Sequence, residues 1–469
     1  GGAISIAGGD ATVEHSRIIS NSAFSGGGVF NDGMLTLVDT GIFSNTAAHQ
    51  GGGIYSDNHG QLFITNGFIA FNQAGYGGGG LDNHGVSTVT TSQFHQNDVV
   101  GPDHGFGGAV ENFGPLTVYD TVFTKNHAPY GGGIYNYSAT AVIQTCQFDE
   151  NTALSGGGIE SDYGFLYVNN STLVNNLANQ GGAVFNFGNL SLTNNTLSGN
   201  VASGVGDEEG GGAIMQAYGV LTLTHNTIAN NTAPNWPGRD GIWQTDGRTS
   251  IQHSIVAENG VGNCGLAGGV WDGASYNLAD DGSCPGFTLA DPILAPLGNY
   301  GGDTLTHALL PGSPAVDAGD NDLCASTDQR GEPRPVDGNV DGMAVCDIGS
   351  VEMDYHPALT LTVSPAFQTI VAGETAVFTL TIRNTGSITL AQIQVESPFL
   401  MDCTFAQEML LPGEEENQVC SIVSVAESFT MPITITAQMA GFPSSRIHID
   451  ETMQVLVEWR QFLPVVLKS

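Results

Sequence analysis

Acidic residues stand at fixed places in this chain. One or three residues after a recurrent Gly-Gly-(Gly/Ala)-apolar signature come Asp57, Asp82, Glu111, Glu160 and Asp162. They are interleaved with Tyr55, Phe113, Tyr135, Tyr137, Phe185 and Phe187, with His59 and His84 near. Two carboxylates flanking a bond are the machinery of glycoside hydrolysis, and aromatic rings beside polar groups also grip a sugar without cutting it. Such a stripe has a plainer meaning as well: a solvated face with a flank covered by a neighbour. Tyr55, Asp57, Asp82, Glu111, Tyr135 and Glu160 are therefore candidate glycan-facing residues, and none is assigned a catalytic role. Elimination chemistry on acidic sugars needs a strong cationic base. No Arg occurs between Arg17 and Arg239, and Lys125 is the one lysine of that stretch, so a lyase fits poorly.

A second pattern suits a hard cation. Asp337-Gly338-Asn339-Val340-Asp341-Gly342, followed by Asp347, places oxygen ligands at alternate positions and a Gly at the sixth, as at the start of a calcium loop. The twelfth position is Ile348 where a bidentate Glu is usual, so the alternative is an ordinary Asp/Gly turn. The expected ligands are Asp337, Asn339, Asp341 and Asp347, and Ca2+ is the expected cofactor. Of seven cysteines, six fall into local couples, Cys264/Cys284, Cys324/Cys346 and Cys403/Cys420, with no CxxC and no His at zinc spacing. They are expected to be disulfides, which implies an oxidising, extracellular compartment. Cys146 is left over as a small buried hydrophobe.

The elements that carry these residues repeat. The signature's apolar residue recurs at Ile4, Val29, Ile54, Leu81, Val110, Ile134, Ile159, Val184 and Ile214, 24 to 30 residues apart. An Asn recurs at Asn21, Asn45, Asn72, Asn97, Asn126, Asn151, Asn176, Asn200, Asn231 and Asn259, with apolar residues three and eight positions before each. Short alternating runs such as Leu35-Thr36-Leu37 are strands. A unit of about 25 residues with strands parted by Gly and Asn corners is one coil of a parallel β-helix. Stacking coils aligns the apolar columns inside and lets the Asn amides bond from coil to coil, as in cross-β ladders. A second such column, two residues past the signature, holds Asn31, Asn83, Asn112, Asn136 and Asn186.

The expected fold is all-β: a right-handed parallel β-helix of about ten coils plus a cap, followed by a small Ig-like β-sandwich. Residues 1–260 are the repeats and 261–354 the closing coils and a Cys- and Asp-rich cap over the solenoid's end. Residues 355–459 are the sandwich, and 460–469 an apolar tail.

The chain has 469 residues, 66 of them Gly, and 10 Lys plus Arg against 46 Asp plus Glu, for a formal net charge of −36. A partner recognised through its phosphates is excluded, so nucleic acid is not expected. No run of 18 apolar residues exists, and no transmembrane helix is expected. The chain opens on Gly1 with no signal peptide in view, the mark of a processed chain or a fragment.

Gly107-Gly108-Ala109-Val110 with Phe123-x-x-Asn126, and Gly131–Ile134 with Phe148-x-x-Asn151, resemble the repeats of the polymorphic outer-membrane protein adhesins. Residues 291–352 are similar to the closing module of bacterial secreted proteins called choice-of-anchor Q. Residues 358–457 resemble the Ig-like repeat domain of bacterial surface proteins, whose Cys pair Cys403 and Cys420 would match. The resemblance implies a protein of the bacterial cell surface or extracellular space with adhesive or structural work. The alternative is a β-helix that binds or hydrolyses polysaccharide. Self-association is also expected. Gly1 and Ile4 open the first coil inside its corner signature, and Phe462, Leu463, Val465, Val466 and Leu467 form an apolar tail; two unlike ends suit a head-to-tail contact and a fibre.

Overall fold

The computed structural model describes residues 1–101, 104–206, 209–339, 341–354, 358–386, 388–396, 405–411, 413–439 and 442–458. Among them there is no helix, hence none long and apolar enough to cross a membrane. The chain divides into two compact units, Gly1–Glu352 and Met353–Ser469.

The first unit is a parallel β-solenoid of about 11 turns. Each turn lays down a short strand after the glycine corner, a longer second strand and a short third strand. In one turn these are Val110–Asn112, Leu116–Tyr119 and Val122–Thr124. The register between turns is in step, so Ile4, Val29, Ile54, Leu81, Val110, Ile134, Ile159, Val184, Ile214, Ile242 and Cys264 form one column. The last two positions belong to turns in which the glycine signature has worn away. Alternation sends one side of every strand into a continuous apolar core, where Phe94, Phe123 and Phe148 stack with centroids 5.2 and 4.6 Å apart.

The corners explain the glycines and asparagines. Gly78 has φ +61°, in the left-handed region that costs a residue with a Cβ, and a Cβ on Gly79 would stand 2.3 Å from the Gly108 carbonyl oxygen. The Asn column is an unbroken amide ladder. Asn97 donates from both its backbone N–H and its Nδ2 to Asn126 Oδ1 at 3.0 Å, and Asn126 does the same to Asn151 at 3.0 and 2.9 Å. The pattern runs from Asn21 to Asn259 and ends on Asn263. A third polar column, not legible as a repeat in the sequence, holds Ser92, Thr121, Cys146, Ser171, Asn195 and Asn226 behind left-handed corner residues such as Asn170, Asn194 and His225. Cys146 is buried as expected, but it occupies a hydroxyl position, its thiol directed to the Gln144 carbonyl at 3.2 Å.

Residues 291–352 correct the expectation of an end cap. They return along the side of the solenoid, over third strands whose residues turn small and hydroxylic: Thr172, Thr196 and Thr227. Thr196 Oγ1 donates to Gln329 Oε1 at 2.6 Å, Ser198 Oγ meets His307 Nε2 at 3.0 Å, and Ser350 N–H donates to Thr227 Oγ1 at 3.0 Å. Two buried ion pairs, Arg330–Asp328 at 2.8 Å and Arg334–Glu352 at 3.0 Å, fix this flap internally.

The second unit contains a three-stranded sheet, Leu359–Ser364, Ala376–Asn384 and Glu415–Ile422, and a five-stranded sheet. Phe378 and Leu380 of one and Ile393, Ile433 and Val455 of the other share one core, as in a small sandwich.

Candidate functional site

The acid and aromatic stripe separates into two layers. Asp82 pairs in register with Tyr55 on one side and Glu111 on the other, and Glu111 pairs with Tyr135, which pairs with Glu160. These side chains leave the first strand outward, yet Asp82 and Glu111 have no exposure and Glu160 only 3%. That corrects the solvated-face reading. The glycine corner bends so tightly that the segment before it, paired turn to turn through Gly77, Phe106, Tyr130 and Ser155, lies over them. Gly77 is the close approach, for a Cβ there would overlap Glu111 Oε2 at 1.6 Å.

Burial dominates the electrostatics of this column. It raises the Asp82 carboxyl, partly offset by His84, and lifts Glu111 well above the usual carboxylate range, with the Asp82 charge adding to the rise. Two carboxyls side by side without solvent cannot both ionise cheaply, which favours the protonated form of the pair. His84 Nε2 lies 3.0 Å from Asp82 Oδ1 in a contact that is close but poorly aligned for a hydrogen bond. Burial pulls the imidazole down; the Asp82 contact outweighs it and leaves His84 above its ordinary value. Glu160 is driven well up by burial and then by Asp162. Tyr135 donates to Asp162 Oδ2 at 3.0 Å, and burial followed by that charge raises its phenol. Tyr55 is pushed up to about 12, by burial and then Asp57.

Outside this column runs an aromatic ladder that climbs the solenoid. Phe30, Tyr55, His84, Phe113, Tyr137, Tyr163, Phe187 and Tyr218 follow one another with centroids 4.6 to 6.0 Å apart. At its lower end the rings stack and use up one another's faces. Between Phe113 and Phe187 successive rings turn edge-on, by 62°, 76° and 72°, and Phe187 and Tyr218 stack again at 30°. Tyr137, Tyr163 and Tyr218 are 39, 60 and 53% exposed. Tyr163 and Tyr218 were missed in sequence because they lie four residues past the signature, outside the one-and-three spacing.

The other expected residues are scattered. Asp57 is half-buried and caps its own turn, accepting the Asn58 amide at 2.8 Å. Asp337, Asn339 and Asp341 form a tight loop in which Asp341 N–H donates to Asp337 Oδ1 at 3.1 Å and to Asn339 Oδ1 at 2.9 Å. Asp347 is instead buried, its Oδ1 held at 2.7 Å by the Asp317 amide, and does not join them. The carboxylate beside this loop is Asp317, which accepts from the Gly338 and Asn339 amides at 3.2 and 2.7 Å.

Cys264 and Cys284 are bonded, and Cys420 is disulfide-bonded; Cys403 lies outside the described residues. Cys324 and Cys346 correct the expected pairing: both are free thiols, placed instead around His225. The apolar tail, Phe462, Leu463, Val465, Val466 and Leu467, also lies outside the described residues, while Ile4 opens the first strand column against Val29.

No protein-family model matches this chain, and no curated protein matches it. The solenoid's geometry and the two layers of its stripe are therefore what speak to function.

Proposed function

We propose that this chain is an extracellular adhesive protein of the bacterial surface type whose solenoid holds an extended, uncharged polysaccharide along Tyr137, Tyr163, Phe187 and Tyr218. The observation that carries the reading is the exposure of Tyr137, Tyr163 and Tyr218 along neighbouring coils, with half-buried Phe187 between the last two. Sugar rings pack on aromatic faces through their apolar C–H surface while their hydroxyls stay wet. The spacing of the rungs suits successive residues of one chain. A net charge of −36 disfavours uronic or sulfated polymers by repulsion. The bonded Cys264–Cys284 pair supports an oxidising compartment, and the adhesin-like repeat motifs support the same class of work.

The hydrolytic alternative meets a geometric obstacle. Its best acids, Asp82, Glu111 and Glu160, are sealed beneath the outer segment, and a general acid must reach the leaving oxygen. The test is binding of neutral glucans, mannans and chitin fragments measured on wild type and on Tyr163→Ala with Tyr218→Ala. The expected result is retention of at least one polymer that the double variant loses by about tenfold or more, with no shortening of the polymer. Equal retention by both proteins would overturn the reading.

A further inference from the structure

The flap brings two thiols to a histidine far earlier in the chain. His225 occupies a left-handed corner of the solenoid at φ 52°, and Cys324 and Cys346 come from the flap. One ligand atom from each lies within 4.8 Å of both others. Ligands about 2.3 Å from a shared ion stand about 3.8 Å apart in a tetrahedron, so the three atoms need move little to meet one.

The surroundings lack a purely structural explanation. His225 has no solvent exposure, its Nδ1 makes no well-formed hydrogen bond although the backbone of Gly349 and Asp347 lies near the ring, and its Nε2 accepts from the Ala325 amide at a long 3.3 Å. A buried imidazole nitrogen without a well-formed hydrogen bond is costly. The neighbours hold the ring and the sulfur in place. His253 stacks on His225 with centroids 4.6 Å apart and is itself fixed by the Asp320 amide at 2.8 Å. The backbone of Gly319 passes so near Cys346 that a Cβ would sit 3.0 Å from its sulfur. Arg334, the nearby cation, is neutralised by Glu352 at 3.0 Å. Cys324 is half-buried, which leaves a way in for an ion.

We propose that His225, Cys324 and Cys346 bind a thiophilic d10 cation, zinc(II) or copper(I), which pins the flap to the solenoid. Two thiolates and an imidazole are the donor set such ions select over calcium or magnesium. Zinc uptake releases one proton from each thiol, so two thiolates balance the two charges of the ion, and an exogenous donor completes the tetrahedron. In a chain that also carries a bonded cysteine pair, coordination accounts for two adjacent sulfurs that remain unbonded.

The test uses the full chain, secreted and purified without chelator. Plasma emission should find about one zinc or copper per chain. Denaturation with chelator and an alkylating agent should then label three free thiols, Cys146, Cys324 and Cys346. His225→Asn is the decisive variant, because Asn194 fills the matching left-handed corner one turn earlier and the fold accepts it there. It should melt as a folded protein and bind added zinc at least about 100-fold more weakly than wild type. Copper(I) supplied under reducing conditions should show the same dependence if copper is the resident ion. Labelling of Cys146 alone would reveal a Cys324–Cys346 disulfide and overturn the proposal. Three labels without uptake of either ion would overturn it too, as would undiminished binding by His225→Asn.

Discussion

Asp82 and Glu111 face each other in register on adjacent coils, and neither carboxyl touches water. Both are raised by burial, and His84 beside them is raised by Asp82. The folded state thus binds more protons than the unfolded chain at pH values between the ordinary carboxylate range and the raised ones. Stability falls with rising pH wherever the native state holds the extra proton. The pair's contribution to stability should be largest in mild acid and fall as pH climbs above about 4. His225, His253 and His307, held neutral by burial, work the opposite way below the ordinary histidine value, so the pair is read by difference. Asp82→Asn with Glu111→Gln should flatten this slope and add about 1–3 kcal/mol at neutral pH, since uncharged isosteres remove a desolvation cost. Calorimetric melts of both proteins from pH 4.5 to 8 check it; a parallel slope in the double variant would refute the extra proton.

Gly77 should couple to Glu111. A methyl group at Gly77 overlaps the Glu111 carboxyl, so Gly77→Ala should destabilise wild type by about 2–4 kcal/mol. In a Glu111→Ala background the clash is gone and the cost should fall below about 1 kcal/mol. A double-mutant cycle by denaturant titration measures the difference, and additive effects would mean that the outer segment does not rest on Glu111.

The columns at Val110 and Asn126 were legible because a stacked coil repeats its environment, and each environment demands one residue type: apolar inside, amide at the corner, glycine where φ is positive. What repetition could not show is what happens off the coil. Asp82 and Glu111 read as outward by alternation, which is true of their strand, but alternation is blind to a segment folded over it. Nothing in the repeat marks Thr172, Thr196 and Thr227, yet they are the landing strip of a flap encoded more than 100 residues later. His225 gave no zinc spacing with Cys324 because the fold, and not the local sequence, brings them together.

The amide ladder predicts a position-dependent cost. Asn126 gives two hydrogen bonds to Asn151 and one to the Phe94 carbonyl at 3.0 Å, and accepts two from Asn97. Alanine there strands the Asn97 donors and the Phe94 carbonyl inside the rod, at about 1–3 kcal/mol for each buried group left unpaired. Asn126→Ala should therefore cost about 3 kcal/mol or more. Asn21 is half-buried at the ladder's end, where water replaces lost partners, and Asn21→Ala should cost about 1 kcal/mol or less. Denaturation midpoints of the two variants would expose the contrast, and equal losses would show that the ladder is not continuous.

The flap should detach as a unit through one residue. Gln329 is buried and serves both sides of the seam: its Nε2 donates to Thr304 Oγ1 at 3.0 Å and to the Leu305 carbonyl at 2.9 Å within the flap, and to Thr172 Oγ1 at 3.2 Å on the solenoid. Its Oε1 accepts from Thr196 Oγ1. An apolar side chain of similar length, as in Gln329→Met, keeps the volume but leaves several hydroxyl and carbonyl groups facing hydrocarbon, a loss of about 2–4 kcal/mol. The strands beneath keep their partners above and below, as between Thr172–Val174 and Thr196–Ser198, so the solenoid itself should stay intact. Hydrogen exchange should accordingly quicken across 304–306 and 327–330 while the amides of the Asn ladder stay protected. Loss of protection that spreads into Asn176 and Asn200 would show instead that the flap and the coils unfold together, and that residues 291–352 hold up the solenoid they cover.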